Sequence, residues 1–198
     1  SLGNGDARFV EGLGEVLTAF DVPLLGGDTV RARGGRSFGL TAIGRATHVP
    51  VPDRRRASPG EGIWVTGVLG RAMLGFEGNA EYADAFARPS PRLAEGRALA
   101  PNVGAMMDVS DGLLLDCWRM ATASNVAIRL DGGALPVADP RRGGECIRWG
   151  DDYELLFTLP AGAVPPVPAT RIGNVEAANI APLRLDDVII TPADGIGY

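Results

Sequence analysis

Short apolar runs that break off at glycine or aspartate are the feature that most constrains this fold. Residues 22–25 are followed by Gly-Gly-Asp, and residues 63–66 are followed by Gly67. Runs of this length between turn residues are typical of buried strands. Glycine occurs 28 times in the 198 residues, about double its usual ~7% share, so many positions turn sharply or approach another group closely. These features favour a loop-rich α/β protein.

The first part of the chain predicts one helix and two strands. Between residues 6 and 20, apolar side chains recur at helical spacing, and Asp6 is a suitable N-cap. Residues 22–25 and 37–46 have the composition of strands. Such a unit leaves sheet edges unpaired and one face uncovered. We therefore expect residues 1–47 to be the remainder of a domain whose first strands precede Ser1.

The rest of the chain alternates predicted strands and helices. The helix 113–124 has Leu113, Cys117 and Met120 on one face, with Ser110 as its N-cap. The other predicted elements are a short helix after Gly70, a helix at 91–99, strands at 63–66, 128–130, 153–159 and 188–190, and a Pro-rich loop at 161–169.

A domain boundary is predicted in the segment 48–60. This segment contains four Pro or Gly residues and three consecutive arginines, a composition that suits an exposed linker or hinge. We place the division between residues 52 and 53.

The absence of lysine excludes several classes of chemistry. A P-loop, a protein kinase and a Schiff-base enzyme all need a lysine amine, and the chain has none. His48 is the only histidine, so no second imidazole is available for a zinc site. Cys117 and Cys146 have no metal-ligand spacing, and we expect buried thiols in a reducing compartment.

The charge balance bears on partners. The net charge is −5 and the pI is about 4.9, and no basic stripe extends beyond the arginine triplet 54–56, so we expect no nucleic-acid partner. No apolar stretch of 18 residues and no signal-peptide pattern occur. We therefore expect no membrane association and a cytoplasmic location.

Carboxylates at the ends of predicted strands are the candidate functional groups. Such carboxylates suit Mg²⁺, a hard ion that takes oxygen ligands and bridges to substrate phosphates. The segment 110–112 also opens a helix, whose free N–H groups and dipole attract phosphate. Each group has a plainer explanation as a turn, a helix cap or a solvated strand start. The candidates are Asp28, Asp108, Asp111, Asp151 and Asp152.

Five segments, taken in order, resemble one family. They are residues 22–29, 59–67, 88–92, 108–113 and 152–157, the last of which reads Asp-Tyr-Glu-Leu-Leu-Phe. Together they resemble thiamine-monophosphate kinase, of the superfamily that includes aminoimidazole ribonucleotide synthetase and selenophosphate synthetase. The resemblance runs from about Ala7 to Tyr198. It implies a two-layer α+β, PurM-like fold, in which 1–52 is a remnant of the N-terminal ATP/Mg-binding domain and 53–198 is the C-terminal synthetase-like domain.

The resemblance also implies roles for individual residues. The family has roughly another hundred residues upstream, including an Asp-rich loop with metal ligands and the strands that pair two subunits of a homodimer. No catalytic group beyond the metal ligands is implied. The implied ATP-binding residues are Gly27, Asp28, Arg54 and Ser110, the Mg²⁺ ligands are Asp28, Asp108 and Asp111, and the substrate-binding residues are Asp151, where the family has Glu, and Tyr198.

The activity implied is ATP- and Mg²⁺-dependent phosphorylation of thiamine monophosphate to thiamine diphosphate by direct in-line transfer. With part of the site upstream, we expect this chain alone to be impaired. Two alternatives stay open at the level of sequence. The chain could be another ATP-dependent synthetase of the superfamily, or a folded remnant without catalytic activity.

Overall fold

The structure is a computed structural model that describes residues 4–30, 34–35 and 37–197. The chain forms two compact units, Ser1–Gly44 and Arg45–Tyr198. The division lies slightly before the predicted domain boundary at 52/53, which stays a prediction.

Among its described residues, the unit Ser1–Gly44 contains one helix, α1 (Asn4–Ala19), which confirms the predicted amphipathic helix. The helix begins two residues before Asp6, so Asp6 lies in its first turn and is not the N-cap. The rings of Phe9 and Phe38 stack at a centroid distance of 4.2 Å.

The two strands predicted in this unit are wrong. Residues 22–25 and 37–46 form no strand, and apolar side chains such as Leu24 and Leu40 are exposed. A strand exists through its ladder of hydrogen bonds to a neighbour, and an isolated pair is marginal at best. No described segment of this unit supplies such a neighbour, so strand-like composition alone does not produce a sheet here.

The unit Arg45–Tyr198 is built on one sheet of seven strands in the order β2-β4-β1-β5-β3-β6-β7. All neighbouring strands are antiparallel except β3 and β6, which are parallel. The predicted strands at 63–66, 128–130, 153–159 and 188–190 are confirmed within a few residues. The strands are β1 (Gly62–Val65), β2 (Met106–Val109), β3 (Val126–Leu130), β4 (Glu154–Leu159), β5 (Thr170–Ala177), β6 (Leu183–Leu185) and β7 (Val188–Ile189).

Five helices accompany this sheet. The predicted helices after Gly70, at 91–99 and at 113–124 are all present, the last with identical bounds. Residues 161–169 form a loop, as predicted. None of the described helices is long and apolar enough to cross a membrane. The helices are α2 (Arg71–Phe76), α3 (Ala83–Ala87), α4 (Leu93–Leu99), α5 (Leu113–Ser124) and α6 (Gly143–Cys146).

Apolar side chains pack on both faces of the sheet. On one face Leu113, Cys117 and Met120 of α5 are fully buried with Leu156 of β4, which confirms the predicted apolar face of this helix. The next side chain along β4, Phe157, points to the opposite face because side chains alternate along a strand. There it packs in a second cluster with Leu99 of α4 and residues of the loop 161–169. Both cysteines are buried and free, as expected.

The N-cap assigned to Ser110 is wrong. Gly112 caps α5 with a φ of 107° and no side-chain hydrogen bond. This left-handed conformation suits glycine, and a Cβ atom here would lie 2.5 Å from the carbonyl oxygen of Arg148. Close packing against the chain after α6 therefore sets the start of α5.

Substitution of a buried residue of α5 tests this packing. Leu114 is fully buried in the main core, so Leu114→Ala is expected to lower the free energy of unfolding by about 2–5 kcal/mol. The same deletion at Leu93, whose side chain is half exposed, is expected to cost less than about 1 kcal/mol. Urea denaturation followed by tryptophan fluorescence measures both, and equal losses would contradict the assigned core.

Candidate functional site

The carboxyl end of β2 lies beside the amino end of β4. The two strands pair antiparallel, with Asp108 opposite Leu155 and Val109 opposite Glu154. Beyond the strands, Tyr153 N–H donates to the Val109 carbonyl oxygen at 2.9 Å and Asp151 N–H donates to that of Ser110 at 2.9 Å. The turn 110–112 and the segment 150–153 are thereby held against each other. This edge of the sheet, defined by residues 108–111 and 150–153, is called the carboxylate edge below.

The segment 150–153 has an unusual backbone. Asp151 and Tyr153 have φ values of 63° and 51°, in the left-handed region that non-glycine residues rarely adopt. A Cβ atom at Gly150 would lie 2.1 Å from the carbonyl oxygen of Ser110, so only glycine allows this approach. Strained positions of this kind cost roughly 1–3 kcal/mol each and cluster at functional sites. The geometry therefore marks the segment as a candidate binding element.

Tyr153 links the carboxylates of this edge. Its hydroxyl donates to Asp151 Oδ1 at 3.0 Å, and its ring is 39% exposed. The pKa of Tyr153 is raised by burial first, then by the hydrogen bond and charge of Asp151 and by the charges of Asp108 and Asp111. Because three carboxylates act on one phenol, they lie in a common electrostatic environment. Asp108, Asp111 and Asp151, three of the residues singled out from the sequence, therefore belong to one edge of the sheet, although among the described residues they form no group of three that could hold a metal.

Asp116 holds the turn 110–112 through hydrogen bonds, and the sequence did not predict this role. It is fully buried, and its Oδ2 accepts the N–H groups of Ser110 and Asp111, both at 3.1 Å. Its Oδ1 accepts from Arg119 Nη1 at 3.1 Å, and the same nitrogen also pairs with Asp111. Burial raises the pKa of Asp116, while these hydrogen bonds and Arg119 act in the opposite direction. The signal in the sequence that could have indicated this role was a carboxylate next to the apolar face of α5.

Asp152 has a structural role, unlike its neighbour Asp151. Its two oxygens accept the N–H groups of Gly70 at 2.7 Å and Ala72 at 3.1 Å, which fixes the start of α2 to the segment 150–153. Burial raises the pKa of Asp152 to about 6. Both its oxygens are bonded, so Asp152 is not available as a ligand in this arrangement.

Glu154 is the centre of a second buried network. It accepts two hydrogen bonds from Arg92, at 2.8 and 2.6 Å, and one from the Thr66 hydroxyl at 2.6 Å. Thr66 in turn accepts the N–H group of Leu155 at 2.8 Å. This network joins β1 and the residue before α4 to the first residue of β4, and so stabilises the carboxylate edge.

The other residues predicted for the site belong to other segments of the chain, and one of them lies outside the described residues. Gly27 and Asp28 are exposed in the unit Ser1–Gly44, where Asp28 Oδ1 accepts the N–H group of Thr29 at 2.8 Å. Arg54 is exposed, and its carbonyl oxygen accepts from Ser124 at the carboxyl end of α5. A helix of 12 residues is about 18 Å long, so the Arg54 backbone and Ser110 lie at opposite ends of α5. Tyr198 lies outside the described residues.

The donor set at the carboxylate edge fits a hard divalent cation in part. Asp108 and Asp111 offer oxygen ligands at the surface, and Mg²⁺ commonly takes only one or two carboxylates, with waters and phosphate oxygens completing its shell. Within the part of the chain that the structure describes, no group of three or more His, Cys, Asp or Glu side chains could hold a metal. Any cation here would therefore depend on oxygens from a ligand or from elsewhere.

A cavity of about 300 Å³ opens close to the same edge. Its walls combine the indole of Trp149, the thioether of Met73, two carboxylates and Arg148. Arg142 clamps the two carboxylates, with contacts of 2.6 and 2.7 Å to Glu77 and of 3.1 and 2.5 Å to Glu145. Trp149 is two residues before Asp151 in the chain, so the cavity and the carboxylate edge share one connecting segment.

Comparisons with solved structures place this arrangement in a known class of folds. The crystal structure of thiamine-monophosphate kinase from Stenotrophomonas maltophilia K279a superposes with a TM-score of 0.63 and 31% identity, covering 70% of this chain and 54% of that one. A structure of AaThiL complexed with AMPPCP and TMP has a TM-score of 0.63 and 26% identity, covering 71% and 52%. The hydrogenase maturation protein HypE, 20% identical with a TM-score of 0.55, shares the fold alone. The fold is thus PurM-like, as predicted.

Curated relatives identify a particular group within that class. Thiamine-monophosphate kinase of Salmonella typhimurium is 34% identical over 201 residues, which cover 85% of this chain and 60% of the relative. The same enzyme of Halobacterium salinarum is 36% identical over 188 residues, covering 87% and 64%. These matches confirm the resemblance to thiamine-monophosphate kinase, and the chain spans about 60% of the length of these relatives. No family model matches the chain.

The half-buried carboxyl of Asp152 leads to a prediction about the pH dependence of stability. Its pKa of about 6 in the folded chain exceeds the ordinary aspartate value of 3.8, so its contribution to stability is fully present below about pH 4 and is lost as the pH rises through about 6. A difference of about two pKa units corresponds to about 3 kcal/mol. The difference in unfolding free energy between the wild type and Asp152→Asn is expected to fall by about this amount between pH 4 and 7, measured by urea denaturation. A difference independent of pH would contradict it.

Proposed function

We propose that this chain carries part of the active site of an ATP-dependent thiamine-monophosphate kinase, which transfers the γ-phosphoryl group of ATP to thiamine monophosphate and releases thiamine diphosphate and ADP. The observation that carries the proposal is the backbone contact that holds the segments of Asp108, Asp111 and Asp151 at one edge of the sheet, in a chain similar to these kinases. AaThiL complexed with AMPPCP and TMP supports the choice of substrates.

The chemistry of this transfer suits a site rich in carboxylates and free of lysine. The acceptor phosphate has a second pKa near 6 and is mostly dianionic at neutral pH, so the reaction needs no general base. The main barrier is repulsion between the donor and acceptor phosphates, and catalysis consists of positioning and charge neutralisation. Divalent cations, for which we propose Mg²⁺, would supply that neutralisation.

Each residue of the edge has a proposed task. Asp108 and Asp111 offer oxygen ligands on the side of the phosphates, and Ser110 lies between them in the turn before α5. The amino end of α5, a helix of 12 residues, adds a favourable dipole for phosphate. Gly27, Asp28 and Arg54 stay proposed as further ATP-binding residues, with Asp28 as a third metal ligand.

The thiamine moiety is proposed to bind near Asp151 and the cavity beside Trp149. Thiamine contains an aromatic ring with a permanent positive charge, and an indole face is the best aromatic partner for a cation. The carboxylates Glu77 and Glu145 line the same cavity, where Arg142 pairs with both of them. Asp151, held by the Tyr153 hydroxyl, and Tyr198 stay proposed as substrate-binding residues.

An ATP-consuming reaction also favours the cytoplasm as the proposed location, and a homodimer is proposed by analogy with the family.

Turnover by the chain alone is the first test. We expect residues 1–198 to phosphorylate thiamine monophosphate far more slowly than a full-length relative, because the described residues bring together no group of three or more metal-ligating side chains. The assay measures ADP and thiamine diphosphate formed from ATP at fixed Mg²⁺. Turnover equal to that of the longer relative would contradict this expectation, and phosphorylation of a different acceptor would favour the synthetase alternative.

A binding measurement tests the carboxylate edge without turnover. Asp111→Asn is expected to weaken Mg²⁺-dependent binding of AMPPCP by about tenfold or more, because it removes one charged oxygen ligand. Asp187→Asn is the matched control, since Asp187 is 93% exposed and lies before β7, at the opposite edge of the sheet from β2. Calorimetric titrations with and without Mg²⁺ give both values. Equal affinities for the two variants would rule out Asp111 as a ligand.

A further inference from the structure

We propose that Asp116, together with Arg119, is a positioning residue that holds the turn 110–112 in the shape in which Ser110 and Asp111 contact a metal-bound nucleotide. This inference rests on the proposed function for the identity of the ligand. The positioning itself rests on the hydrogen bonds of the turn, and it can be measured without any ligand.

The first argument is the location of Asp116. It lies in the first turn of α5, between the apolar side chains Leu113 and Cys117, and is fully buried like both of them. Removing a carboxylate from water is costly unless it is paired and hydrogen-bonded. An apolar side chain would satisfy the packing of this helix face. The carboxylate is therefore explained by what its oxygens hold.

The second argument is the identity of its partners. Oδ2 accepts the N–H groups of two successive residues, Ser110 and Asp111, each at 3.1 Å. These residues lie in the short turn between β2 and α5, where no strand or helix partner fixes them. One buried oxygen thus fixes the backbone of both residues whose side chains face the proposed phosphates.

The third argument is the bridge made by Arg119. Its Nη1 contacts Asp116 Oδ1 at 3.1 Å and pairs with Asp111 Oδ2. Asp111 is therefore held twice, by its backbone through Asp116 and by its side chain through Arg119. The Arg119 contact is made by Asp111 Oδ2, and the other carboxylate oxygen, Oδ1, takes no part in it. Such support for a ligand side chain is typical of sites in which partner groups orient the residues that bind the ion.

Amide hydrogen exchange tests the positioning directly. In Asp116→Asn, the amides of Ser110 and Asp111 are expected to exchange at least about tenfold faster than in the wild type, while the amides in the middle of β4 follow global stability. Leu114→Ala is the control. It removes buried volume two residues before Asp116 on the same helix, and it leaves the Asp116 hydrogen bonds in place. Equal exchange of the two turn amides in both variants, at matched global stability, would overturn the proposal.

Nucleotide binding tests the consequence. Asp116→Asn is expected to weaken Mg²⁺-dependent binding of AMPPCP at least about tenfold, whereas Leu114→Ala retains wild-type affinity at a temperature where both are folded. Arg119→Lys is expected to retain affinity within about threefold because it keeps the charge, and Arg119→Met is expected to lose it. If Asp116→Asn does not fold, the Arg119 pair carries the test, since Arg119 is 33% exposed. Wild-type affinity in Arg119→Met and Asp116→Asn would overturn the proposal.

The two measurements separate this inference from the proposed function. Fast exchange of the turn amides in Asp116→Asn, in a wild-type chain that shows no Mg²⁺-dependent binding of AMPPCP, would reject the proposed function and keep the positioning role. Unchanged exchange would reject the positioning role, whatever the wild type binds.

Discussion

The antiparallel pairing of β2 with β4 is the interaction on which the rest of the site depends. Its register sets Asp108 opposite Leu155 and Val109 opposite Glu154, and two further backbone hydrogen bonds continue the contact past the ends of the strands. A slip of one residue would turn every side chain to the other face of the sheet. It would move Leu156 out of the core under α5 and separate the turn 110–112 from the segment 150–153. The packing of α5 and the geometry of the carboxylate edge therefore stabilise the same register.

Buried and half-buried carboxylates tie the surrounding elements to this edge. Asp116 holds the turn before α5, Asp152 holds the start of α2, and Glu154 holds Arg92, next to α4. Each accepts from backbone N–H groups, an arginine or a hydroxyl, so part of the desolvation of its charge is offset. Removing one partner from such a group would leave an unsatisfied buried charge, which is more destabilising than the loss of one hydrogen bond. These carboxylates therefore fix the position of the carboxylate edge relative to α2, α4 and α5.

Local pattern predicted α5 well because its apolar face has a regular period and Leu113, Cys117 and Met120 all lie in the core. The sequence pattern did not predict β5. A register shift in its pairing with β1 buries both Ile172 and Val175, which are three residues apart. The apolar residues therefore lack the alternation expected of a strand. The strands predicted near the amino end failed because composition cannot supply a pairing partner. The resemblance to a family located Asp108, Asp111 and Asp151, but the support from Asp116 depends on three-dimensional contacts.

Adjacent carboxylates at this edge differ in function because their oxygens differ in what they already bind. Asp151 and Asp152 look equivalent in the sequence, yet both oxygens of Asp152 accept backbone N–H groups, whereas the Asp151 side chain accepts from the Tyr153 hydroxyl. Asp151 and Tyr153, on either side of Asp152, both have a left-handed backbone, and the side chains of Asp151 and Asp152 bind different partners. Carboxylates whose lone pairs are occupied by the backbone stabilise the fold, and those that reach the surface can serve as ligands. By this criterion Asp108, Asp111 and Asp151 are the groups that we propose for chemistry, while Asp116 and Asp152 hold the turn before α5 and the start of α2.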